Sequence, residues 1–182
     1  MLLNTILILI LCFVFCLQYY AFRTGVPTVA SSSSSRRKIA EILRKEAAAN
    51  PSGRSYKIID LGSGNGQVSR RIAREIPAAQ VTGIEISLIP WLYSEARRRL
   101  VGYANLEYKR IDFWPYDCSG VDAVVVFLAG KAMDRVSHKL RAELKPGALV
   151  LSNSICLRGD WEPDAVESVG FPDFKVYIYR QR

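Results

Sequence analysis

The sequence predicts an α/β protein built on a doubly wound, mostly parallel β-sheet. Short aliphatic runs alternate with amphipathic helical patterns along most of the chain, which favours parallel strands joined by crossover helices. The run at 121–127 is so apolar that we expect a central strand covered on both faces. Another apolar run, 56–61, leads directly into three alternating glycines and then a helical pattern. A strand, a tight turn and a helix N-terminus in this order predict a site for a nucleotide-like ligand.

The first predicted element precedes this sheet and is a long apolar segment, residues 2–22, interrupted only by Asn4, Thr5 and Gln18. About 20 apolar residues span a bilayer as a helix. No Lys or Arg precedes the segment, unlike the basic start of a cleaved signal peptide. We therefore expect an N-terminal transmembrane helix over 1–23, with a cleaved signal or a buried helix as the alternatives.

A Ser-rich tether is predicted at 24–35, followed by one domain over 36–182. Arg23, Arg36 and Arg37 follow the apolar segment, so the positive-inside rule places the domain on the cytoplasmic or an equivalent side of a membrane, as a single-pass protein. The formal net charge of +8 favours anionic surfaces such as membrane lipid. The arginine runs on two helices are more typical of solvated faces than of a nucleic-acid site. Four scattered cysteines and one histidine predict no metal site.

The domain is predicted to begin with an amphipathic helix and to end on an alternating strand. Pro77 ends the second helix, and Pro90 lies in the first turn of the third. The predicted helices are 36–49, 67–76, 90–100 and 131–144, and the predicted strands are 56–61, 81–86, 105–110, 121–127, 148–152 and 174–179.

The glycine turn has the pattern Asp60-x-Gly62-x-Gly64-x-Gly66. A Walker A loop requires a Lys after its last glycine, and a dinucleotide fingerprint requires Gly where Gln67 stands, so neither pattern fits. A carboxylate at the end of the first strand suits an ammonium group or a backbone amide better than a pyrophosphate.

Two further acidic residues follow the next strands. Glu85 ends the second strand and is placed to accept hydrogen bonds from ribose hydroxyls. Asp112 follows the third strand, where it can accept from an adenine amine while Phe113 packs on the base. All of these signals fall at the carboxyl ends of strands, where such sheets bind their ligands.

This ordered set, Asp60 to Gly66 with Glu85 and Asp112, resembles the class I S-adenosylmethionine-dependent methyltransferases over about residues 38–182. The resemblance implies a Rossmann-like sheet of seven strands whose last hairpin adds an antiparallel strand. The chain is short after Asn153, so we expect one strand or helix to be missing there. It also implies S-adenosyl-L-methionine as cofactor, held by Asp60, Gly62, Ser63, Gly64, Gly66, Glu85, Asp112 and Phe113.

A narrower group is also similar: the membrane-anchored lysine methyltransferases related to the mitochondrial enzymes for the ATP synthase c-subunit and the adenine nucleotide translocase. The similarity includes the N-terminal span, Pro90-Trp91-Leu92, Asp112-Phe113-Trp114 and Trp161-Glu162-Pro163. It implies methyl transfer to a lysine of a protein in or near the membrane. Transfer to a lipid or quinone-like molecule, or a non-catalytic cofactor-binding scaffold, are the alternatives.

Three aromatic residues are predicted to serve the reaction itself. Phe127, after the central strand, would lie against the methyl group and the acceptor, with Trp114 and Trp161 as walls of the acceptor channel. A lysine must lose its proton before it accepts a methyl group, and its unperturbed pKa is about 10.4. Desolvation between aromatic walls lowers that pKa, so no strong base is expected.

Overall fold

The computed structural model describes residue 5 and the ranges 31–50, 53–128, 132–170 and 174–182. The predicted span 1–23, apart from Thr5, and the predicted tether as far as residue 30 lie outside these ranges. Within the described ranges, no helix has both the length and the apolar character needed to cross a bilayer.

Seven strands form one sheet in the described part of the chain. They are β1 (Lys57–Leu61), β2 (Gln80–Ile84), β3 (Leu106–Lys109), β4 (Ala123–Val126), β5 (Leu149–Asn153), β6 (Ala165–Val169) and β7 (Phe174–Arg180). Their order across the sheet is β3-β2-β1-β4-β5-β7-β6. Strands β1 to β5 are parallel to one another, and β7 is antiparallel to both β5 and β6. This is the predicted class I methyltransferase architecture, including its antiparallel last hairpin.

Among the described ranges, four helices cover the two faces of this sheet: α1 (Ser33–Ala48), α2 (Gln67–Glu75), α3 (Leu88–Val101) and α4 (Ala132–Glu143). Adjacent residues of one strand point to opposite faces, so Ile58 and Ile59 of β1 belong to different core clusters. The first cluster contains buried residues of α1 and α2, with Trp91 of α3 packed against it. The second contains Met133, with Val136 and Leu140, of α4. The sheet is therefore covered on both faces, as the apolar β4 predicted.

The first helix begins at Ser33, three residues earlier than predicted. Ser32 is its N-cap, and the Ser32 hydroxyl accepts a hydrogen bond from the backbone N–H of Ser35 at 3.0 Å. Serine is a favoured N-cap because its oxygen satisfies one of the unpaired amides in the first turn. The last serines of the predicted tether therefore start the helix, which ends at Ala48.

The end of the sheet settles which element is missing after Asn153. Both strands of the last hairpin are present, and residues 154–164 between β5 and β6 contain no helix. The missing element is therefore a helix. β6 itself was not predicted, because it is an edge strand whose largely exposed side chains lack an apolar alternation.

Candidate active site

The carboxyl ends of β1, β2 and β4 meet at one edge of the sheet. Leu61, the last residue of β1, is paired with Ile84 of β2 on one side and Val126 of β4 on the other. The glycine loop, Glu85 and Phe127 each follow one of these strand ends. The parallel register therefore gathers these predicted site residues at one edge, which we call the site edge.

The glycine loop has a left-handed backbone at each of its three glycines. Gly62, Gly64 and Gly66 have φ values of 70°, 54° and 70°, a region that other residues rarely adopt. The Ser63 amide donates to Ile84 at 2.9 Å, and the Gly66 amide donates to Ser63 at 2.8 Å. A Cβ atom placed on Gly64 would meet nothing within 4 Å. The loop is therefore fixed to the sheet while its middle glycine faces open space that a ligand can enter.

Glu85 joins the glycine loop to the start of α3. Its Oε2 accepts from the Gly64 amide at 2.9 Å, and its Oε1 accepts from the Ser87 amide at 2.7 Å. The residue is 9% exposed. A carboxylate oxygen can accept more than one hydrogen bond, so both oxygens keep capacity for ligand hydroxyl groups.

Asp60 is a buried carboxylate at the end of β1. Its Oδ2 accepts from the hydroxyl of Ser69, on α2, at 2.5 Å. The pKa of Asp60 is raised to about 6, mainly by burial and to a smaller extent by the nearby charge of Glu85, while hydrogen bonds from Ser69 oppose the shift. An ionised carboxylate that is costly to bury favours a positively charged ligand group.

Tyr108 is a site residue that the sequence analysis missed. It lies in β3, and its hydroxyl donates to the carbonyl oxygen of Gly66 at 3.1 Å. Its ring fills the space beside Gly66 and Gly83, where a Cβ atom on either glycine would collide with it. The presence of Gly83 opposite Tyr108 in the β2–β3 register is the signal that could have indicated this contact.

Two serines also support the loop without having been predicted. Ser69 holds Asp60, and the buried hydroxyl of Ser94 on α3 lies 2.9 Å from the carbonyl oxygens of Gly64 and Pro90. A serine on the buried face of a helix needs a polar partner. The sequence could therefore have indicated that these serines hydrogen-bond to something, but not that their partners are Asp60 and the loop.

The predicted adenine and acceptor residues form a second group, beyond the end of β3. Asp112 is exposed, and its Oδ1 accepts from the Trp114 amide at 3.1 Å. The rings of Phe113 and Trp114 lie 4.6 Å apart, and the guanidinium carbon of Arg135, on α4, lies 4.0 Å from the Trp114 ring centroid. An aromatic pair capped by a cation thus follows β3.

Phe127 and Trp161 differ in their surroundings. Phe127 is half-buried at the site edge, directly after β4. Trp161 is 8% exposed and packs edge-on against Tyr179 of β7, with ring centroids 5.5 Å apart. Trp161 therefore contributes to the core cluster beneath α4.

The donor set fits S-adenosylmethionine in three respects. Asp60 offers a buried negative charge, Glu85 is a fixed acceptor, and Gly64 leaves room above the loop. The hydroxyl oxygen of Ser63 is also buried without a hydrogen-bond partner among the described residues, and a bound ligand can supply one. No group of three potential metal ligands occurs in the described ranges.

Solved structures with the same fold include methyltransferases. An RNA methyltransferase from Salinibacter ruber, in complex with S-adenosyl-L-homocysteine, aligns with a TM-score of 0.69 and 24% identity, over 84% of this chain and 93% of that chain. TrmN from Thermus thermophilus aligns with a TM-score of 0.62 and 16% identity, over 79% of this chain and 48% of that chain. At these identities, the similarity to the two solved structures establishes a shared fold and nothing more.

Comparison with known sequences gives a more specific result. Adenine nucleotide translocase lysine N-methyltransferase of Mus musculus is 33% identical over 160 residues, which are 86% of this chain and 64% of that protein. A protein-lysine N-methyltransferase of Saccharolobus islandicus is 29% identical, over 67% of this chain and 77% of that protein. The lysine N-methyltransferase of Mus musculus that is named for the ATP synthase c-subunit is 27% identical, over 84% of this chain and 58% of that protein.

The chain thus spans less than two thirds of the length of either mouse protein. The model of the ANTKMT methyltransferase domain matches residues 60–165, from the buried carboxylate of β1 to the start of β6. The match confirms the narrower resemblance drawn from the sequence, and the chain belongs to the ANTKMT methyltransferase domain family.

Proposed function

We propose that this chain is an S-adenosylmethionine-dependent methyltransferase that acts on a protein lysine and is tethered to a membrane. The observation that carries the proposal is the glycine loop at the site edge, which follows the buried carboxylate of Asp60 and is bonded at Gly64 to the carboxylate of Glu85. The names of the three relatives, which are all lysine methyltransferases, support lysine as the acceptor.

The cofactor supplies, when bound, a methyl group on a positively charged sulfonium, and that charge is lost on transfer. Asp60 would favour the positively charged ligand through its ionised carboxylate. Glu85 would accept from the ribose hydroxyls, with Gly62, Ser63, Gly64 and Gly66 lining the approach. Asp112 and Phe113 would hold the adenine beyond β3, as predicted from their positions.

The acceptor amine must reach the methyl group as a neutral nucleophile, with its lone pair aligned along the bond that breaks. Phe127 follows the central strand and would pack against the reacting groups. Trp114 would form one wall of the channel, and Trp161 remains the candidate for an inner wall. The guanidinium of Arg135 over Trp114 adds a positive charge on this side, and a nearby like charge lowers the pKa of an approaching lysine. This arrangement supports deprotonation without a strong base.

The tether is proposed from the sequence of residues 2–22. Their apolar length matches a bilayer, and the first basic residues follow them rather than precede them. A tether of this kind keeps the domain near acceptors at the membrane surface. Retention of the full chain in membranes through an alkaline carbonate wash would support this part, and release into the supernatant would contradict it.

The activity is tested by incubating the full chain with methyl-labelled cofactor and a membrane extract. Label in a protein band, located on lysine by mass spectrometry and absent with Glu85→Ala, is the expected result. Label in the organic phase would instead support a lipid or quinone-like acceptor, and label removed by nuclease would support RNA. Cofactor binding without any transfer would support a scaffold.

A further inference from the structure

The described chain enters the domain at the site edge. Ser31 accepts a hydrogen bond at its hydroxyl from Nδ2 of Asn153, at 2.8 Å. Asn153 is the last residue of β5, which runs parallel to β4, so it lies at the same edge as the glycine loop. Residues 23–30 separate the apolar segment from Ser31, and eight extended residues reach at most about 28 Å. A bilayer that holds residues 2–22 therefore keeps the site edge close to its surface.

The first two turns of α1, α2 and α3 present a mixed basic and apolar surface at this edge. We call it the rim and define it as Arg36, Arg37, Arg70, Leu88, Leu92 and Tyr93. The guanidinium carbon of Arg70 lies 5.8 Å from the Tyr93 ring centroid. Arg70 and Arg71 are close enough to Arg36 that their charges, after burial, lower its pKa. The three helices thus form one surface.

The apolar part of the rim is unusually exposed. Leu88 is 37% exposed, Leu92 is 50% exposed and Tyr93 is 51% exposed, all within two turns of α3. Exposed leucines beside an aromatic ring are typical of helices that enter the headgroup region of a bilayer.

The basic part of the rim lacks acidic partners. Across the described ranges, no carboxylate forms an ion pair with Arg36, Arg37 or Arg70, whereas Arg71 and Arg99 are paired within their own helices. Arginines without carboxylate partners, next to exposed apolar side chains, complement an anionic lipid surface.

We infer that the rim docks on an anionic lipid bilayer and turns the site edge towards the membrane. This inference rests on the proposed membrane tether. The tether holds the domain near the membrane, and the docked rim fixes which side of the domain faces it. A tether alone would allow the domain to rotate, whereas a docked rim places the acceptor channel at the depth of the lipid headgroups. The acceptor lysine would then lie in the headgroup region rather than in a distant soluble domain.

The test uses the full chain reconstituted in vesicles that contain a photoactivatable diazirine lipid. Vesicles of phosphatidylcholine are compared with vesicles that also contain phosphatidylglycerol, and lipid adducts are located by mass spectrometry. Leu100 is the internal control, because it is 81% exposed on the same helix and lies about 12 Å farther from the site edge. We expect at least about threefold more adducts at 88–93 than at Leu100 in anionic vesicles, and a smaller ratio at high salt.

Two matched variants sharpen the comparison. Leu92→Gln with Arg37→Gln should reduce the adducts at 88–93 to the level at Leu100. Leu100→Gln with Arg97→Gln makes the same chemical change on the far half of α3 and should leave them unchanged. Equal labelling of 88–93 and Leu100 in the unmodified chain would overturn the inference. Protection of 88–93 from the lipid label while Leu100 is labelled would mean that a protein surface covers the rim, and would also overturn the inference.

The failure of docking and the failure of the proposed function are distinguishable. Calorimetric titration of S-adenosylmethionine into the same vesicle preparations tests the cofactor site, which neither matched variant alters. Vesicles from which the chain washes off would show failure of the tether. Adducts that are spread evenly over a firmly bound chain would show failure of docking alone.

Discussion

The hydroxyl of Tyr108 occupies the space that a side chain at Gly66 would need. The same hydroxyl donates to the carbonyl oxygen of Gly66 at 3.1 Å, and a Cβ atom on Gly66 would collide with the phenol. The last glycine of the motif is therefore required by a tyrosine of β3 as well as by its own left-handed backbone.

Gly66→Ala should destabilise the domain more than a positive φ alone explains. Gly102 provides the control, because its φ of 77° is similar but a Cβ atom there would meet nothing within 4 Å. We expect Gly66→Ala to lower the free energy of unfolding by about 1–3 kcal/mol more than Gly102→Ala, the usual cost of overpacking. Urea denaturation of both variants measures the difference, and equal losses would contradict the role given to Tyr108.

Asp60→Asn should stabilise the cofactor-free protein at pH 7. The folded-state pKa of Asp60 is about 6, against 3.8 as the ordinary value, so the folded protein binds this proton more tightly than the unfolded chain. The cost of ionisation is therefore absent below about pH 4 and nearly complete above about pH 6, where it is on the order of 3 kcal/mol. Denaturation at pH 7 and pH 4 should show a gain for the variant only at pH 7. A less stable variant at pH 7 would show that the Ser69 hydrogen bond outweighs burial.

Cofactor affinity should rise with pH through the titration of Asp60. Between about pH 5 and pH 7 the carboxylate becomes ionised, and an ionised carboxylate attracts a positively charged ligand. We expect a several-fold gain in affinity for S-adenosylmethionine across this range, measured by calorimetry. Asp60→Asn should bind more weakly at pH 7 and show a flat profile, and a variant with the same pH dependence as the unmodified chain would refute the assignment.

Glu85→Gln should weaken cofactor binding although it preserves the shape of the side chain. Both oxygens of Glu85 accept from backbone amides. In the variant, the side-chain NH2 group would replace one of these oxygens and would face a backbone N–H, so that two donors would meet. We expect a loss of affinity of at least about tenfold, since an unsatisfied buried group costs about 1–3 kcal/mol. Glu75→Gln is the control, because Glu75 pairs with Arg71 on α2. An affinity that both variants leave unchanged would remove Glu85 from the site.

Trp114→Leu should impair the acceptor rather than the cofactor. Trp114 contacts both the Phe113 ring and the guanidinium of Arg135, and its loss would open the proposed channel wall. We expect the KM for the acceptor to rise several-fold, with cofactor affinity unchanged by calorimetry. Weaker cofactor binding with an unchanged acceptor KM would assign Trp114 to the adenine side instead.

The parts of the fold that follow from local patterns were predictable. The run at 121–127 predicted the central β4, and the glycine motif and Glu85 indicated which strand ends meet at the site edge. The serine run predicted a tether, although a serine can also cap a helix, and Ser32 caps α1. β6 was missed because an edge strand can keep polar residues on both faces.

The supporting residues of the site were not predictable for a different reason. In the sequence, Tyr108 is one aromatic residue of a strand, and nothing local connects it with Gly66, 42 positions earlier. The contact exists because the β2–β3 register places Tyr108 opposite Gly83, which lacks a side chain. Register is a property of the assembled sheet. The sequence pattern indicates which side chains share a face of a strand, but not which residue of the neighbouring strand each one pairs with.

The first helix, α1, packs against the C-terminal hairpin of the sheet, β6 and β7. Val176 of β7 lies in the same core cluster as Ile39 of α1, and ion pairs at 3.2 Å and 2.8 Å join Lys38 to Glu167 and Glu46 to Arg180. During synthesis, α1 emerges more than a hundred residues before the strand that covers it. Contacts between residues so far apart in sequence form slowly, because the chain loses loop-closure entropy before the contacts stabilise it. The contacts between α1 and β7 therefore form only after β7 has been synthesised, and until then α1 can pack only on earlier elements such as α2.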